Sequence, residues 1–150
     1  MSSIHPYWYI DFEGYQFNDT FYIKEIAILS SDVSQCYNYF VHSPKYISVF
    51  LHSATTRHQY HQHNLRWDFG EHSFHDVING INKKVGNDML FIKGEQKMKF
   101  LEQWLPNITD ATWLPSFKNM NQCLHEVCDM KHGKMCARRK VFEMLYHDKI

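Results

Sequence analysis

The stretch YWYIDFEGYQF, residues 7–17, carries two acids, Asp11 and Glu13, inside a run that is otherwise aromatic and apolar. That enrichment reads as a buried β-strand. Residues two apart on a strand point to the same face, so the two carboxylates share a face. They repel each other there unless something positive stands between them. A metal ion is the usual reason for such an arrangement.

The remaining pattern supplies the surroundings of that strand. It reads as ending at Gly14, with Asn18 and Asp19 as turn residues leading into FYIKEIAILSS and then QCYNYFVH. Short connections make these three strands an antiparallel meander. From Ser43 to Arg66 the pattern weakens to a short helix around residues 47–54 and a loop, HQYHQHNLRW, whose histidines read as solvated. Phe74, Val77, Ile78 and Ile81 recur at helical spacing behind Ser73, which fits an N-cap. NDMLFIKG is a short apolar strand closed by Gly94, and EQKMKFLEQWLP is a helix with Met98, Leu101 and Leu105 on one face, stopped at Pro106. ATWLPSF predicts a brief strand, and GKMCARRKVFEMLYH a closing helix with Met135, Val141, Phe142 and Leu145 on its apolar face. A meander followed by strands alternating with helices predicts an α/β mixed sheet with helices packed on it. The 150 residues suffice for one such domain, 1–150, and not for two.

Composition narrows the function classes. Lysine plus arginine and aspartate plus glutamate number 16 each, so any nucleic-acid contact must be local. No run approaches the length that crosses a membrane, and MSSIHPYWYI lacks the basic start and long apolar core of a secretion signal. The cysteines are therefore expected as reduced thiols of an intracellular protein. Cys123, Cys128 and Cys136 crowd near His125 and His132, which points to zinc. Cys128, His132 and Cys136 recur every four residues and stack on one helical face, or meet across a turn at Gly133. They give three ligands of a tetrahedral site. The fourth comes from Cys123 or His125 locally, or from a first-strand carboxylate at longer range.

IDFEGYQFNDTFYIKEIAIL resembles the first motif of the DEDD exonucleases, whose fold is ribonuclease-H-like and whose element order is similar to the one read above. In that family an Asp-x-Glu holds part of a two-metal site with ions about 3.5–4 Å apart, and the resemblance implies Asp11 and Glu13 as the pair. Lys97, in KMKFL, stands where that family places a metal-binding Asp, and Ala137, in HGKMCA, where it places the last one. A lysine puts positive charge in the place of a metal and an alanine removes a ligand, so two-metal chemistry is not expected. The last helix of such a fold packs on the first strand, which implies that Glu13 reaches a zinc held by Cys128, His132 and Cys136. A Glu-Cys-His-Cys site on a degenerate DEDDh fold resembles the Maelstrom domain of small-RNA-guided transposon silencing. IKGEQKMKFL and CDMKHGKMCARRKV are also similar to patterns in insect and mobile-element proteins.

The resemblance implies a zinc-stabilised, catalytically degenerate module that binds single-stranded RNA or a partner protein, with Zn²⁺ on Glu13, Cys128, His132 and Cys136. Asp11 is then a remnant or a support for a ligand. Arg138, Arg139 and Lys140, at the start of the last helix, are the candidates for phosphate contact. Two other functions stay open: a metal-dependent nuclease acting on single-stranded RNA or DNA, and a protein-interaction domain, which the neutral charge favours.

Overall fold

The computed structural model describes residues 7–17, 20–42, 70–114 and 137–149. In chain order they form β1 (Tyr7–Phe17), β2 (Thr20–Ser30), β3 (Cys36–Phe40), α1 (Phe74–Val85), β4 (Met89–Ile92), α2 (Glu95–Leu101), β5 (Ile108–Asp110) and α3 (Ala137–Lys149). The five strands make one sheet in the order β3-β2-β1-β4-β5. β1 pairs antiparallel with β2 and parallel with β4, so the meander and the parallel half meet on it. The α/β class and the mixed sheet are as the sequence predicts. This layout is compatible with a ribonuclease-H-like arrangement without being specific to it.

Alternation along β1 explains its continuous apolar run. Trp8, Ile10 and Phe12 face one side, where they pack with Val77, Ile78, Ile81 and Val85 of α1 and with Leu101 and Leu105. Tyr9 faces the other side with Ala27 and Leu29 of β2, under Ala137, Val141 and Met144 of α3. Both faces of the strand are thus covered, and each large side chain it buries contributes about 2 kcal/mol. α1 starts as expected: the Ser73 hydroxyl accepts from the Asp76 N–H at 3.1 Å. It ends at Gly86, whose φ of 56° is a left-handed value that favours glycine.

Three boundaries differ from the sequence reading: α2 ends at Leu101 rather than running to Pro106, so Leu105 packs into the core from beyond the helix, and two strand ends also move. β1 does not end at Gly14 but continues to Phe17, with a register shift between Glu13 and Gly14. The glycine marks close approach rather than a stop, since a Cβ there would meet the Tyr22 carbonyl oxygen at 2.0 Å. Among the described residues the last strand lies at Ile108–Asp110, and residues 111–114 of ATWLPSF are not strand, while residues 115–117 lie outside the described residues. Ala111 donates to the carbonyl of Ile92, the final residue of β4, so the ladder has no further partner. The chain then turns, with the Leu114 N–H on the Ala111 carbonyl at 3.1 Å. The helix expected around residues 47–54, the His-rich loop and Met135 lie outside the described residues. Among the described residues no helix is long and apolar enough to cross a membrane.

Candidate functional site

Asp11 and Glu13 follow Tyr9 on the face of β1 that α3 covers, and they are 3% and 8% exposed. β1 pairs with β4 only through Tyr7–Tyr9. Beyond that stretch the chain after β4 supplies a partner, since α2 carries Lys97 to the open side of the strand. Its ammonium donates to Asp11 Oδ1 at 2.8 Å and to the Phe12 carbonyl at 2.8 Å, and it stands 3.5 Å from Glu13 Oε1. From α3, the Lys140 ammonium donates to the same Glu13 oxygen at 3.0 Å. The positive charge that the two acids require is therefore present as two tethered ammonium groups.

The register places a third acid beside this pair. Glu25 of β2 is the cross-strand partner of Glu13 and is fully buried. Its Oε1 accepts the N–H of Ala137, the first residue of α3, at 2.9 Å, while its Oε2 accepts from the Asn38 amide at 3.0 Å. A carboxylate at a helix N-terminus meets both an unpaired donor and the positive end of the helix dipole. Neighbouring acids on two strands thus hold the first turn of α3, one through the Ala137 backbone and one through Lys140. Further along α3, buried Glu143 lies 3.5 Å from Arg139 Nε.

Burial sets the electrostatics. It pushes the Asp11 carboxyl above the ordinary aspartate range, against the pull of Lys97 and Lys140 and helped by the neighbouring charge of Glu13. Burial works against the charge on Lys97, but Asp11 and Glu13 more than offset it, so this amine titrates above the usual lysine range. Glu143 is also raised, by burial first, with Arg139 and Lys140 opposing. Asp11 Oδ2 is buried and makes no hydrogen bond among the described residues.

The other end of α3 carries its own acid, Asp148. Asp148 Oδ2 accepts from the hydroxyls of Tyr9 and, at 3.3 Å, Tyr7, and its Oδ1 accepts from Trp113 Nε1 at 3.1 Å. Burial and then the hydrogen bond to Asp148 raise the Tyr9 hydroxyl above its ordinary range. Trp113 and Tyr146 are nevertheless more than half exposed.

The structure joins Glu13 to Lys140, two residues that the sequence reading placed in different roles. Lys140 is buried against the sheet, and Arg138 and Arg139 are half-buried, so the three cations do not form one exposed stripe. Cys123, His125, Cys128, His132 and Cys136 lie outside the described residues. Among the described residues no three His, Cys, Asp or Glu side chains are grouped to hold a metal ion. Glu25, Glu143 and Asp148 were not singled out from the sequence. The signal for Glu25 is its place as the acid opening the apolar run EIAIL, and for Glu143 its spacing of four from Arg139. Asp148 has no comparable signal.

No family model matches this chain, and none of the curated proteins matches it.

Proposed function

We propose that this domain is a catalytically degenerate member of the ribonuclease-H-like class that binds single-stranded RNA without hydrolysing it. The observation that carries the reading is the Lys97 ammonium, 2.8 Å from Asp11 and 3.5 Å from Glu13. Two-metal hydrolysis needs its carboxylates open to divalent ions that hold the attacking and leaving oxygens. Here the first-strand acids are neutralised by lysines of the chain, and their role is to bind α2 and α3 to the sheet.

RNA is favoured over a protein partner by what α3 displays. Tyr146 is more than half exposed there, whereas the Arg139 side chain is only 14% exposed and lies against Glu143. An exposed ring for base stacking is a usual element of single-strand recognition. Exposed Trp113, its indole oriented by Asp148, offers a second ring.

Zinc belongs to the same proposal, on Cys128, His132 and Cys136 with Glu13 as fourth ligand. In support, Cys136 immediately precedes Ala137, whose N–H lies on Glu25, the cross-strand neighbour of Glu13. Glu13 Oε1 already accepts from Lys140, so a zinc at this position competes with that ammonium for the carboxylate. The membership in small-RNA or transposon silencing that the resemblance implies is part of this proposal and rests on the resemblance alone.

Fluorescence anisotropy with labelled single-stranded RNA, at two salt concentrations and with Mg²⁺ or Mn²⁺ present, tests the reading. The expected result is binding that weakens with salt and RNA that stays intact. An absence of RNA affinity would return the domain to protein interaction, and cleavage would make it a nuclease. Metal content of the wild type, Glu13→Gln and Cys136→Ser tests the zinc: one ion per chain, lost or reduced in both variants, is expected.

A further inference from the structure

We draw no further inference here: the strongest candidate, the apolar cavity of about 500 Å³ walled by Phe21, Ile23, Val41, Phe74, Phe100 and Trp104 where the β1–β2 hairpin meets α1 and α2, is an apolar surface for which nothing among the described residues shows what covers it.

Discussion

The ammonium of Lys97 lies 2.8 Å from Asp11 Oδ1 and equally close to the carbonyl of Phe12, which fixes α2 to the middle of the first strand. The contact spans 86 residues of sequence. It joins one helix to the acids, while Lys140 joins another, so the sheet and both helices share a single set of charges.

Lys97→Met removes one of those charges and leaves Asp11 and Glu13 buried with Lys140 alone. Deleting one partner of a buried ion pair strands the other, and we expect a loss of about 3 kcal/mol in urea unfolding. The side chain of Lys97 is 27% exposed, which places the cost toward the lower end for such pairs. Adding Asp11→Asn to Lys97→Met should recover part of the loss, because no unpaired carboxylate then remains at that position. A loss in Lys97→Met within experimental error would mean that the ammonium does not hold the acids together.

Glu143→Gln tests the electrostatics of α3. The carboxyl of Glu143 titrates higher in the folded protein than in the unfolded chain. Its contribution to stability is therefore full below the unfolded value, about 4.3, and is lost as the pH rises through the folded value. Glutamine resembles the protonated acid at every pH. The melting temperature of Glu143→Gln relative to wild type should accordingly climb as the pH is raised from acid toward neutral. A difference that stays level, or falls, would show that Arg139 and Lys140 outweigh the burial.

Gly14→Ala addresses the irregularity beside the acids. The new Cβ would lie 2.0 Å from a backbone oxygen of β2, which has no flexible end to swing away. The hairpin must open or shift register, and a destabilisation of about 3 kcal/mol is expected, the upper end for overpacking. Chemical denaturation measures it. A variant as stable as wild type would mean that the two strands are further apart at this point.

How much of this was legible in the sequence depends on the residue. The apolar spacing of Val77, Ile78 and Ile81 shows a helix because only one face of it is buried. The acids Asp11 and Glu13 show that a cation is needed, since their separation of two places them on one face. The nature of that cation depends on which lysines the fold brings near, and that is a property of topology. Lys97 becomes available because β4 stops pairing with β1 after Tyr9 and α2 begins just beyond. Lys140 reads as a phosphate-contact candidate in ARRK, yet α3 meets the sheet with that position inward. Gly14 reads as a strand end because glycine serves both stops and close approaches, and only the partner strand distinguishes them. The Asp148 contacts join residues from three separate parts of the chain, and no local pattern announces them.

Calorimetric titration of Mn²⁺ into the wild-type protein, with Asp11→Asn as the control, tests most directly whether lysines have taken the place of the two hydrolytic metal ions at the first strand. If Lys97 and Lys140 neutralise the acids, the two proteins should titrate alike, with no Mn²⁺ binding that depends on Asp11. One or two Mn²⁺ ions bound by the wild type and lost in Asp11→Asn would contradict the account, and would make the first strand a working metal site.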